Sequence, residues 1–122
     1  MSAETKRRWR DYRTAAGRRP IKEFIDRLSD VDAAAVVAAM KDVRETGLAA
    51  ARHLRGEIYE VRADGDRQTF RILFAPEGRR RQVLLALEGF SKKTQKTPSE
   101  KFQLAERRLA DWRRRGDDQS QR

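Results

Sequence analysis

Apolar positions along the chain change their period near Gly56, and the change separates a helical half from a sheet half. At the start, Trp9–Arg10–Asp11–Tyr12 alternates and predicts a short strand over Arg8 to Arg13. Ala15–Ala16–Gly17 and Arg18–Arg19–Pro20 then punctuate the chain, and Pro20 suits the first turn of a helix, where its missing N–H costs nothing. Ile21, Phe24, Ile25 and Leu28 follow at i, i+3, i+4 and i+7, the spacing of an amphipathic helix. Ser29–Asp30 ends that helix and caps a second one, whose stripe is Val36, Met40 and Val43 and whose end is Gly47. The two segments read as a helical hairpin with one shared apolar face.

Beyond Gly56 the period is two. Ile58 to Arg62 alternates, Asp64–Gly65 is a hairpin signal, and Thr69 to Phe74 resumes the strand. Pro76–Glu77–Gly78 reads as the next turn. Gln82 to Leu87 is almost wholly apolar, which suits a central strand covered on both faces. Thr97 and Glu100 form a capping box around Pro98, and Phe102, Ala105, Leu109 and Trp112 give the stripe of a last helix from Ser99 to Arg115. That helix is expected to be the movable element, because a charged tail without periodicity follows it. The order β–α–α–β–β–β–α predicts an α+β domain over residues 1–115, its helical hairpin packed on a small, mostly antiparallel sheet, with a polar tail over 116–122.

Composition narrows the partners rather than the fold. Lys and Arg number 29 against 19 Asp and Glu, for a net charge of +10. Twenty-two of the cations are arginine, whose planar fork favours phosphate and stacked bases. Nucleic acid, an anionic membrane surface or an acidic protein are the natural partners of such a charge. The absence of cysteine excludes disulfides, thiolate nucleophiles and Cys-based metal sites, and the lone His53 excludes a His–His metal pair. The longest uncharged apolar stretch, Ala33 to Met40, is far short of the ~20 residues that span a bilayer. The first ten residues contain no apolar core of a secretory signal, so a cytoplasmic protein is expected, with no membrane partner.

Candidate chemistry lies on the strands and the loop after them. Paired positions of a hairpin with an even loop sum to an odd number, and 62 + 71 is odd. A two- or four-residue loop at Asp64–Gly65 therefore puts Arg62 and Arg71 on one sheet face, away from the helices, as a phosphate-binding platform; a three-residue loop does not. The competing reading pairs each arginine with a carboxylate such as Glu60 or Glu88. Glu60, on the face of Arg62, is either a general base or an arginine partner. Lys92, Lys93 and Lys96 occupy a loop between a strand and a helix start, where they either meet phosphate or form a solvated basic loop. Arg79–Arg80–Arg81 and Arg113–Arg114–Arg115 read as solubilising or dipole-compensating runs with a weaker claim to RNA contact, and His53 as a junction residue.

Three stretches together resemble a known family: Leu54 to Arg62, Phe70 to Phe74, and Gly89–Phe90–Ser91–Lys92–Lys93–Thr94–Gln95–Lys96–Thr97–Pro98. In order and spacing they are similar to the phage-derived HigB-like toxins of the RelE/ParE superfamily, over roughly Trp9 to Trp112 and including the Gly17…Pro20…Phe24 opening. The resemblance implies a RelE-like fold, with two helices on one face of a curved sheet. It implies ribosome-dependent cleavage of mRNA, with Arg62, Arg71, Lys92 and Lys93 as the catalytic group. Arg55, Arg67, Lys96 and Arg79 to Arg81 then become candidates for RNA contact. No cofactor or metal is called for, because RNA supplies its own 2′-hydroxyl nucleophile. The partners implied are a cognate helix-turn-helix antitoxin, the ribosome and mRNA. The chain departs from the family in two places: Phe74 stands where a tyrosine is common, and Glu88 where a histidine often precedes the Gly–Phe pair. Two other functions fit the same features, a ParE-type inhibitor of gyrase and a non-catalytic RNA- or ribosome-binding module.

Overall fold

The computed structural model describes residues 6–92 and 97–120. The order of elements is β1 (Arg8–Asp11), α1 (Pro20–Asp26), α2 (Asp30–Thr46), a 3-10 turn (Leu48–Ala50), β2 (Arg52–Arg55), β3 (Ile58–Asp64), β4 (Thr69–Glu77), β5 (Val83–Lys92) and α3 (Ser99–Ser120). The five strands form one sheet in the spatial order β1-β5-β4-β3-β2, antiparallel except for the parallel β1–β5 pair. This is the expected α+β, RelE-like arrangement, with β2 as an added edge strand. Only Leu54 among its four residues is apolar, so no alternation announces it.

The helical hairpin forms as its caps and stripes dictate. Pro20 opens α1, the Ser29 hydroxyl accepts from the Asp32 N–H at 3.2 Å to open α2, and Gly47 closes α2 at φ 99°. At that φ a side chain would strain the backbone, so glycine is required. Ile21, Phe24, Val36 and Val43 from the hairpin bury against Val61, Ala63, Phe70, Ile72, Phe74, Leu84 and Ala86 of the sheet. Gly89 sets how closely they meet. A Cβ there would lie 2.6 Å from Phe24 Cδ2 and 3.0 Å from Ile72 Cδ1, so this glycine lets the hairpin settle onto β5.

The opposite face is not open. There α3 buries Phe102, Ala105 and Leu109 against Tyr12, Ile58, Leu73, Ala75, Leu85, Leu87 and Phe90. A bulge in β5 prepares this face: Leu73 pairs with Glu88 but Phe74 with Ala86, leaving Leu87 as an extra residue. The extra residue shifts the alternation by one. Leu87 packs in the α3-side cluster, and Glu88 beside it receives Lys101 and Arg108 of α3 at 2.9 and 3.2 Å.

Three expectations need correcting. Pro76 and Glu77 are not the turn but the end of β4, and the chain turns at Gly78 to Arg81. The last helix continues past Arg115 to Ser120. It is also fastened rather than loose: Arg113 bridges Glu77 and Glu57 (both at 2.6 Å), and Tyr12 donates to Asp111 at 2.6 Å. Arg115 binds the same Asp111 and the Arg13 carbonyl. Sequence periodicity finds the buried stripe of a helix but not the acids that meet its arginines from distant strands.

Candidate active site

The register of β3 and β4 brings the two strand arginines directly opposite each other, Arg62 against Arg71. The loop between them is the four-residue stretch 65–68, closed by Gly65 N–H donating to the Gln68 carbonyl at 2.8 Å. The Asp66 N–H donates to Asp32 Oδ1 at 2.8 Å, which ties this loop to the first turn of α2. An even loop and a paired register put both arginines on the face that α3 covers.

Their surroundings differ sharply, and here the picture of a two-arginine platform is corrected. Arg62 is exposed, whereas Arg71 has a relative exposure of 1%. Arg71 Nη1 donates to Glu60 Oε1 at 3.1 Å, and Glu60 is itself 1% exposed. Glu60 is thus placed as an arginine partner. A carboxylate and a guanidinium removed from water together need each other, because either one alone would bear the full cost of desolvation. Parity predicts the shared face but not the burial of Arg71 against Glu60 there.

A groove of about 390 Å³ lies beside this pair, lined by Arg52, Leu54, Arg55, Thr97, Ser99 and Phe102. Arg52 pairs in register with Glu60, and the Arg55 guanidinium stacks 4.3 Å above the Phe102 ring centroid. The Thr97 hydroxyl donates to Glu60 Oε1 at 2.9 Å, so the groove wall and the buried pair share one carboxylate oxygen. Arg52, Arg55 and Arg62 are exposed around this edge of the sheet. Chemically, the groove offers cations at its rim, an aromatic and an aliphatic wall, and a hydroxyl: a surface for a phosphodiester and the base attached to it. Arg52, Thr97 and Phe102 escaped selection as site residues, since Arg52 lies in a strand without a pattern and the other two read as a cap and a core position.

The remaining candidates are scattered. The backbone of Lys92 pairs with Thr69 at the end of β5, and Lys93 and Lys96 lie outside the described residues. Arg67 stands in the β3–β4 loop with its side chain 92% exposed. Arg79, Arg80 and Arg81 occupy the β4–β5 turn, at the opposite end of the strands from that loop, and do not line the groove. The two family departures are structural. Phe74 is fully buried under the hairpin against Trp9 and Tyr59, at 5.0 and 5.8 Å between ring centroids. Glu88 is the anchor for α3 described above.

Electrostatics in the described residues favour the folded ion pairs. The Tyr12 hydrogen bond, helped by Arg115, holds the Asp111 carboxyl below its ordinary range, and burial followed by that same bond pushes the Tyr12 phenol up. Arg113 holds Glu57 low, and Arg19 does the same for Asp11 through bonds of 2.8 Å. No helix among the described residues is long and apolar enough to cross a membrane.

Comparison with known proteins gives consistent matches. The family model of phage-derived Gp49-like proteins (DUF891) matches residues 23–110. Two relatives, both called "Probable endoribonuclease HigB1", come from Mycobacterium tuberculosis strains CDC 1551 / Oshkosh and ATCC 25618 / H37Rv. Each is 36% identical over 110 residues, covering 87% of this chain and 85% of the relative.

Proposed function

The chain belongs to the Gp49-like family of phage-derived proteins, and on that premise we propose that it is the toxin of a type II toxin–antitoxin pair, an endoribonuclease that cuts mRNA on the ribosome. The observation that carries the reading is the groove at the β2 edge, where Arg52 and Arg55 line a wall with a stacked aromatic and a hydroxyl, and Arg62 is exposed on the neighbouring strand β3. The HigB1 relatives, named as endoribonucleases, supply the reaction class.

In this mechanism the RNA 2′-hydroxyl attacks the adjacent phosphorus, a 2′,3′-cyclic phosphate forms, and the bond to the 5′-oxygen of the next nucleotide breaks. Arg62 meets the charge that gathers on the non-bridging oxygens. Lys92 or Lys93 accepts the 2′-hydroxyl proton as the general base. Water or a neighbouring ammonium protonates the departing 5′-oxygen. Arg71 acts from behind: held by Glu60, it fixes the strand pair from which Arg62 projects. Arg55, Arg67 and Lys96 bind the RNA around the cut, and a helix-turn-helix antitoxin neutralises the toxin.

Induction of the toxin without its antitoxin tests the reading. Protein synthesis should stop within the time of one growth arrest, and mRNA should be cut on programmed ribosomes. Intact protein synthesis with failed DNA replication would replace it with a gyrase inhibitor.

A further inference from the structure

At the end of the sheet away from the β3–β4 loop, a second cavity of about 440 Å³ has His53, Gly56, Glu57, Tyr59, Arg81 and Arg113 in its lining. Its construction differs from the first. His53 and Tyr59 are register partners on β2 and β3, and their rings lie 4.8 Å apart, tilted by 37°. His53 Nε2 is 2.7 Å from the Gly56 carbonyl, which leaves the proton on that nitrogen and fixes the ring. Tyr59 is fixed from beneath by Phe74. The aromatic pair is therefore preorganised, with His53 exposed and Tyr59 half-buried.

Arg81 completes the site. Its guanidinium is 5.9 Å from the Tyr59 ring centroid, and Nη2 donates to the Tyr59 hydroxyl at 3.4 Å. Among the described residues Arg81 is the one non-glycine with a positive φ, 57°. That conformation costs an arginine energy which asparagine or glycine would not spend, and such outliers gather at functional sites. Across the cavity, Glu57 keeps its carboxylate ionised beside Arg113, with more than half of its side chain in solvent. A rigid aromatic face, a cation over it and an exposed carboxylate acceptor suit a flat heterocycle bearing N–H groups and a nearby phosphate.

We propose that His53, Tyr59 and Arg81 form a nucleobase-binding slot, which holds an unpaired base of the RNA away from the scissile phosphate. The slot rests on the ribonuclease reading above, and it gives the arginine-rich turn a stacking partner as well as a charge. The RNA backbone reaches it past the β2 edge, where Arg52 and Arg55 are exposed.

The test uses the full chain and a short labelled 2′-O-methyl RNA, which binds without supplying a nucleophile, together with the same RNA lacking one base at each position in turn. Wild-type protein should lose affinity about 10-fold when one particular base is absent. Arg81→Gly, which suits the backbone at φ 57°, and His53→Ala, at an exposed position, should together lose about 10-fold on the intact RNA and nothing further on that abasic one. Tyr59→Leu, which keeps the apolar volume, should behave alike. Equal losses on intact and abasic RNA would reduce the site to a phosphate contact and overturn the slot. So would RNA binding with no base-sensitive position. Failure of the wild-type chain to bind the free RNA would overturn the slot alone, whereas failure both to bind it and to cut mRNA on programmed ribosomes would overturn the ribonuclease reading with it.

Discussion

Substituting the two facing arginines should separate fold from chemistry. Arg71→Ala leaves Glu60 buried at 1% exposure without the guanidinium that faces it, and Thr97 alone does not neutralise a carboxylate. Breaking a buried pair from one side costs about 3–5 kcal/mol. At about 2.1 cal/mol/K of unfolding entropy per residue, a chain of 122 residues carries roughly 0.26 kcal/mol/K, so the midpoint should fall by about 12–20 °C. Arg62→Ala removes an exposed side chain and should move the midpoint by no more than about 2 °C, as surface substitutions stay within ~0.5 kcal/mol. Yet Arg62→Ala should slow cleavage by about 100- to 1000-fold, the cost of one transition-state donor. The double variant Glu60→Leu with Arg71→Met should recover most of the lost stability, because apolar groups of similar volume can replace a buried pair. Calorimetry gives the midpoints, and single-turnover cleavage on programmed ribosomes, well below them, gives the rates. An Arg71→Ala protein that melts with the wild type would refute the buried-pair argument. An Arg62→Ala protein that folds and cuts at the wild-type rate would show that the active face lies elsewhere.

Other outcomes follow from the same geometry. Gly89→Ala drives a methyl to within 2.6 Å of Phe24 and should cost about 1–3 kcal/mol by overpacking, measured as a shift of the denaturation midpoint. Asp111 and Glu57 have lowered pKa values when folded, so their contribution is present above the ordinary carboxylate range and lost as pH falls through the folded values. Below about pH 4, hydrogen exchange in the second half of α3 should therefore quicken. Tyr12 shifts the other way: its contribution is full below about pH 10 and lost as pH rises through the raised folded value, and Tyr12→Phe should abolish that alkaline loss. Replacing Arg79 to Arg81 together should weaken RNA or ribosome binding and flatten its salt dependence, with the single-turnover rate at saturation nearly intact.

The fold was legible where one residue type forces one local structure. Pro20, Ser29 and Gly47 mark the helical hairpin, and the buried residues Val36, Val43, Phe102, Ala105 and Leu109 fall on the stripes their spacing predicts. An even loop puts Arg62 and Arg71 on one face, and the four-residue loop of the structure makes them direct partners. What escaped the sequence depends on contacts between distant segments. The bulge at Leu87 has no local signature and turns Glu88 from a family departure into an anchor for α3. Edge strand β2 lacks alternation, so nothing in the sequence singles out Arg52. Arg71 and Arg62 look alike in one dimension, and only the tertiary contact with Glu60 distinguishes a buried ion pair from an exposed cation.

The distribution of carboxylates explains why the net charge of +10 bears on function. On the α3 side of the sheet, Glu57, Glu77, Glu88 and Asp111 are all engaged by arginines or a lysine of α3, and Glu60 by Arg71. Structural cohesion thus consumes the acids there. The exposed arginines of the β2 edge and the β4–β5 turn are left facing solvent: Arg52, Arg55, Arg62, Arg79, Arg80 and Arg81. A polyanion meets a surface whose counter-charges are already committed, and it need not displace them to bind. An antitoxin that worked by prying α3 away would have to break the Arg113 bridge, the Tyr12–Asp111 bond and a buried apolar stripe together. An acidic segment laid over the β2 edge has no such contacts to break, which makes direct cover of the groove the less costly route to neutralisation. A complex in which the antitoxin contacts only α1 and α2, with Arg52, Arg55 and Arg62 still exposed, would contradict that route.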